Sequence, residues 1–175
     1  MKFTVHHVGK RSLLKERLLM PPTESHVNPA DESIRLGPLS IHFLTTSTDT
    51  HGTLALFELT VPAAERLAAP PHSHDHYDET IYGLEGVLTW TVDGVTIEVR
   101  AGDALVIPRG TVHRFDNRGT VTAKTLCAVT PAAIGPEFFR ESADVLNAAN
   151  DGPPDRARLA AIMARHGLKP APPPA

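Results

Sequence analysis

Two stretches decide the fold: residues 70–86, PPHSHDHYDETIYGLEG, and residues 102–117, GDALVIPRGTVHRFDN. In the first, His72 and His74 stand two apart, so on an extended chain both side chains leave the same face. Glu79 follows after enough chain to complete a turn and enter the next strand. In the second, Pro108, Arg109 and Gly110 make a turn signal that ends one strand, and His113 begins another. If that strand pairs beside the first two in a small barrel, four donors of type N, N, O and N converge. Imidazole suits zinc, copper, iron and nickel, and a carboxylate widens the choice to manganese. Two open positions in an octahedral shell then remain for water, oxygen or a chelating substrate.

The flanking pattern is that of short strands. Residues 54–61, 80–84, 87–92, 95–99, 104–107 and 121–129 are runs of β-branched and aliphatic residues bounded by turn signals. Asp93-Gly94 joins two of these runs and reads as a type I′ hairpin, which places 87–92 antiparallel to 95–99. Many short strands at this spacing predict an all-β sandwich or barrel, since closing the sheet removes exposed edges. After Pro131 the period changes. Phe138, Val145, Leu146 and Ala149 mark one helical face, and Leu159, Ile162, Met163 and His166 a second, with Pro153 and Pro154 before it and Gly167 at its end. The chain accordingly divides into an N-terminal arm (1–38), a barrel (39–131), a helical pair packed on the outside of the barrel (132–169) and a flexible tail (170–175). In the arm, Leu13, Leu14, Leu18 and Leu19 fall at helical spacing and could pack on the barrel or on a second subunit; the alternative is an arm without fixed structure.

These motifs resemble those of the cupin superfamily. The first cupin motif is matched by His72, His74, Glu79 and Gly86, and the second in full by Gly102, Pro108, Gly110, His113 and Asn117. Residues 87–101, the spacer between them, look like the short spacer of single-domain microbial cupins. One departure is Arg66, where the family often has glycine. The resemblance implies a conical double-stranded β-helix (jelly-roll) barrel of antiparallel strands, with one divalent transition metal (Fe, Mn, Ni, Co, Cu or Zn) inside near one mouth. It assigns His72, His74, Glu79 and His113 as ligands, Gly86, Gly102 and Gly110 as turn residues, and Pro108 as a rigid corner. The family's habit of pairing barrels makes a homodimer the expected assembly.

Around the ligands, His76 reads as a rim or second-layer group. Strict alternation puts Ile81 on the side of Glu79 and Phe115 on that of His113, which makes the pocket largely apolar. Tyr82 and Trp90 are not placed by alternation. Arg114 is expected to point away, whereas Arg109 could reach the mouth and an anionic substrate. His6, His7, His26, His42, His51 and His166 lack ligand partners at useful spacing and read as structural or solvated.

The chain has 41% hydrophobic and 21% charged residues, a net charge of −3 and no block of five like charges, so a packed core is expected and a nucleic-acid partner is not. Cys127 is the single cysteine. That excludes an internal disulfide, fits a reducing compartment and reads as a small buried hydrophobe. The opening MKFTVHHVGKRSLLKERLLM has scattered basic residues and no apolar signal-peptide core, and no run reaches the roughly 18 apolar residues of a membrane span. The expected location is the cytoplasm.

The expected function is that of a metal-dependent oxidoreductase similar to the quercetinase-like dioxygenases. Besides the site, the downstream segment TPAAIGPEFFRE leading into a helical tail carries that likeness. The substrate is a small enolic or aromatic molecule, and Glu79 is first a ligand, then a proton acceptor. The alternatives are a cupin that binds a small ligand without turnover, and a metal-dependent isomerase or lyase.

Overall fold

The computed structural model describes residues 33–65, 70–149 and 152–171. The expectations attached to Leu13, Leu14, Leu18, Leu19, His6, His7, His26 and Arg66, and to residues 172–175, lie outside these. The described strands are β1 (Ile34–Leu36), β2 (Leu39–Thr45), β3 (Ala55–Val61), β4 (His72–His74), β5 (Asp78–Glu85), β6 (Val87–Val92), β7 (Val95–Arg100), β8 (Ala104–Ile107), β9 (His113–Asp116), β10 (Ala123–Thr130) and β11 (Leu168–Pro170). Two helices, α1 (Pro136–Asn147) and α2 (Arg156–Arg165), lie between β10 and β11.

Alternation of apolar side chains organises the sheets. In β3, Ala55, Phe57, Leu59 and Val61 are buried and the residues between them half-buried, the period of two that a sheet with one core face imposes. β10 repeats the pattern with Ala123, Thr125, Cys127 and Val129. Register carries this face across the sheet, so that Phe43, Phe57, Cys127 and Ile81 are successive cross-strand neighbours. The strands form a six-stranded sheet, β1-β2-β3-β10-β5-β8, and a five-stranded sheet, β11-β4-β9-β6-β7, antiparallel throughout. Leu88, Trp90 and Phe115 of the second sheet join the inner residues of the first in one core. This is the expected all-β jelly-roll barrel with a short C-terminal helical part.

The turn chemistry is as read at Asp93-Gly94. Both residues have positive φ, 45° and 81°, and Val92 pairs with Val95. A second hairpin lies inside the segment assigned to the arm. Gly37 has φ 58° and precedes Pro38, and Leu36 pairs with Leu39. Glycine at the first central position followed by a residue fixed at negative φ is the type II′ pattern. The sheet therefore begins at Ile34, inside the segment 1–38 assigned to the arm, and Pro38 is the second turn residue of its first hairpin.

The helices also sit differently from the sequence reading. In α1 the buried residues are Phe139, Ser142, Ala143 and Val145, with Phe138 only half-buried. The face is turned because small Ser142 and Ala143 permit close approach, which a search for large apolar residues overlooks. Phe139 packs 5.6 Å from Phe43 and 5.3 Å from Phe57, ring centre to ring centre, so α1 extends the barrel's core and does not merely cover its outside. At the other end of α1, the side-chain oxygen of Asn147 accepts from the Gly37 N–H and its amide donates to the Arg35 carbonyl, clamping the first hairpin. α2 is capped by Asp155, which accepts from the Arg158 N–H, and closes before Gly167 as expected.

Beyond Gly167 the chain becomes β11, which pairs with β4 as Leu168 with His74, Lys169 with Ser73 and Pro170 with His72. Residues 168–170 are thus an edge strand, where the earlier division had the end of a helical pair and the start of a tail. Three residues ending in proline show no alternation, and proline is tolerated here because an edge leaves one side of the strand unpaired. Among the described residues no helix is long and apolar enough to cross a membrane.

Candidate metal centre

The motif residues meet across the barrel, not along one sheet. β4 and β9 are neighbours in the five-stranded sheet, where His72 pairs with His113. Glu79 enters from the opposite sheet, flanked by Val129 of β10 and Ile107 of β8. The side-by-side pairing considered from the sequence holds for the histidine strands and not for β5.

His74, Glu79 and His113 form a group whose donor atoms all lie within 4.8 Å of one another, and it could hold a metal ion. Glu79 Oε2 is 3.4 Å from His74 Nε2 and 3.5 Å from His113 Nε2. Both nitrogens are buried and neither has a hydrogen-bond partner. His72 stands beside this group, its ring centre 4.4 Å from that of His113.

Each imidazole is oriented from behind by a backbone carbonyl. His72 Nδ1 is 2.8 Å from the Pro70 oxygen, His74 Nδ1 2.9 Å from that of Tyr77, and His113 Nδ1 3.0 Å from that of Thr111. A carbonyl oxygen only accepts, so Nδ1 carries a proton in all three, and in the neutral ring the lone pair is then at Nε2. A carbonyl or carboxylate holding the remote nitrogen is the usual support of a metal-ligating histidine. The donor set fits a divalent transition metal on this ground: the buried, unpartnered Nε2 atoms of His74 and His113, their rings fixed from behind, face one carboxylate oxygen, while His72 adjoins the three-residue group without belonging to it.

The electrostatics agree. Burial pushes the Glu79 carboxyl up, but His113 and His74 outweigh it and hold it at about 2. Burial opposes the charged form of His113, yet Glu79 and the Thr111 carbonyl raise its pKa overall. For His72, burial and then the nearby His113 charge lower it to about 4, so this ring is neutral near pH 7. Metal binding to such a set releases protons, because every ligand must be in its unprotonated form.

Residues 58–129 match the family described as Cupin domain. The barrel belongs to the cupin superfamily. The chain is 36% identical over 67 residues to the tetracenomycin polyketide synthase protein TcmJ of Streptomyces glaucescens, a match covering 38% of this chain and 45% of that protein. It is 36% identical over 85 residues to quercetin 2,3-dioxygenase of Bacillus subtilis, covering 47% of this chain and 23% of that one. It therefore spans less than two thirds of these relatives. A predicted oxalate decarboxylase from Thermotoga maritima superposes with a TM-score of 0.50 at 19% identity, over 53% of this chain and 80% of the other, which supports the cupin fold.

In this cupin the remaining predicted residues separate into inner and outer sets. Ile81 is fully buried on the inner face and neighbours Cys127, while Phe115 packs 5.1 Å from Trp90. Trp90 lies on the same wall, 6.1 Å from His113 between ring centres, and its Nε1 is buried without a partner. Tyr82 is on the outer face and 43% exposed. His76 is exposed, lies against Gly167 and is not among the three grouped residues. Arg114 pairs with Asp116, and Arg109 is engaged by Asp78. Cys127 is buried and its thiol is pushed up by that burial, as its bland reading requires. A cavity of about 220 Å³ reaches His113 alone of the group, and its walls include Thr91 and Arg114, which alternate outward from Val92 and His113.

Two contributors were not legible in the sequence. Tyr77 stacks on His74 at 3.9 Å and 16° while its carbonyl holds Nδ1, so one residue fixes both the plane and the tautomer of the ring. Leu168, buried and opposite His74, holds that strand from its other edge. Neither carries a polar side-chain signal at ligand spacing.

Proposed function

We propose that this cupin is a metal-dependent oxidoreductase, a dioxygenase of the quercetinase type, acting on a small enolic or aromatic substrate inside the barrel. One divalent transition metal would be held by His72, His74, Glu79 and His113. The observation that carries the reading is a half-buried carboxylate facing the Nε2 atoms of His74 and His113, with His72 beside them and Nδ1 of all three rings fixed on backbone carbonyls. The 36% identity to quercetin 2,3-dioxygenase supports the oxidative direction.

When bound, such a metal supplies Lewis acidity and a template for a chelating substrate. The chain's own residues do the rest. Ile81, Ile107, Phe115 and Trp90 are buried on the inner faces of the two sheets and make the surroundings of the group apolar. The unpartnered Trp90 Nε1 is a donor for a substrate oxygen. Glu79 is the candidate proton acceptor for an enolic hydroxyl, being the one carboxylate of the group.

Elemental analysis of the purified protein combined with oxygen uptake over flavonols, diketones and catechols tests the proposal. Oxygen consumption that a chelator abolishes is the expected result. A Glu79→Gln variant that retains metal and full turnover would exclude the proton-accepting role. The similarity to a polyketide synthase protein favours, as a second reading, a lyase or isomerase acting on an enolisable polyketide. Product formed without oxygen would select it, and tight ligand binding without turnover would select a binding protein.

A further inference from the structure

The centre draws its donors from both sheets, so its geometry depends on how the sheets are held at that end of the barrel. Two segments cross between them there: residues 75–77 join β4 to β5, and residues 108–112 join β8 to β9. The second crossing is tied to the two strand ends that flank the first. The Arg109 N–H, Nε and Nη2 all donate to the Asp78 carboxylate, at 2.9, 3.1 and 2.7 Å, and Asp78 immediately precedes Glu79. The Gly110 N–H donates to the His74 carbonyl at 2.8 Å. The Thr111 carbonyl accepts from His113 Nδ1 at 3.0 Å.

We infer that Arg109, Gly110 and Thr111 form a positioning bracket for the metal centre, with the Arg109–Asp78 fork setting Glu79 against His74 and His113. This rests on the metal-centre reading above. Arg109 is thereby a positioning residue and not the substrate anchor considered from the sequence, because its donors are turned to Asp78. Half-exposed ion pairs commonly contribute little, but a two-point fork reinforced by a backbone donor is the geometry in which they do. The groups that support metal ligands from behind typically change affinity by about 10- to 100-fold when removed.

The test is titration of the chelator-treated full chain with Co²⁺, reading the dissociation constant by calorimetry and the coordination by the visible spectrum. Asp78→Ala, which loses three bonds, is expected to weaken binding more than Arg109→Ala, which loses two, by about tenfold or more. Both are expected to alter the Co²⁺ spectrum, and Arg109→Lys to recover part of the affinity. Arg114→Ala, on the outer face, serves as control and is expected to leave both readouts unchanged. If Arg109→Ala does not fold, Asp78→Asn, which keeps an acceptor but not the charge, carries the test with an expected several-fold loss. Unchanged affinity and spectrum in the Asp78 variants, or an equal loss in Arg114→Ala, would overturn the bracket while leaving the metal centre standing. Failure of the unaltered protein to bind Co²⁺, Mn²⁺ or Fe²⁺ would instead overturn the metal reading, and the bracket with it.

Discussion

The two sheets place their metal-centre residues by different means. Glu79 sits within a ladder, with β8 on one side and β10 on the other, and its position is inherited from strands that pair with β5 along both edges. His72 and His74 sit on a three-residue strand, and their rings are aimed by carbonyls within three residues in the chain. A long ladder makes a wall rigid, whereas a short strand needs local hydrogen bonds and borrowed edges to hold a side chain. The chemistry of the histidines thus depends on turns and on the C-terminal segment, and that of the carboxylate on the core.

The contrast can be broken from either side. Phe57→Ala empties the aromatic cluster between the six-stranded sheet and α1, and is expected to cost about 3–5 kcal/mol in chemical denaturation while metal bound per folded chain is unchanged. Leu168→Ala, on the other sheet, is expected to cost about 2–4 kcal/mol and, unlike Phe57→Ala, also to weaken metal binding, since Leu168 is the cross-strand partner of His74. His74→Ala is expected to weaken metal binding by about 100-fold or more, exceeding the usual loss for a supporting residue; equal affinity in calorimetry would remove His74 from the centre.

The smallest effect concerns pH. The Arg109 side-chain hydrogen bonds, then its backbone N–H, hold the Asp78 carboxyl at about 2, below its ordinary 3.8. A lowered carboxyl pKa contributes stability that is present above the ordinary value and lost as pH falls from there toward 2. Arg109→Ala is expected to return the Asp78 titration toward 3.8, followed by NMR of the side-chain carboxyl.

Much of this was legible in the residues. Ile81 and Phe115 alternate to the inner face because strand period is fixed by backbone geometry, and Asp93-Gly94 forms its hairpin because its φ values admit little else. β1 and β11 were missed because three-residue strands carry no period. Burial of Phe139 over Phe138 was missed because it depends on what α1 packs against. Tyr77 gave no signal, since its carbonyl and its ring act on His74 through the local fold and not through a recognisable spacing.

The sequence by itself determined the barrel class, the hairpin at 93–94 and the four candidate donors, because alternation, turn conformation and ligand chemistry are properties of short segments. The tertiary structure alone decided that Glu79 faces the histidines from the opposite sheet and that β11 edges their strand. It also turned Arg109 to Asp78 and not to the barrel's contents. These are contacts between segments far apart in the chain, and they follow from how the sheets close on each other.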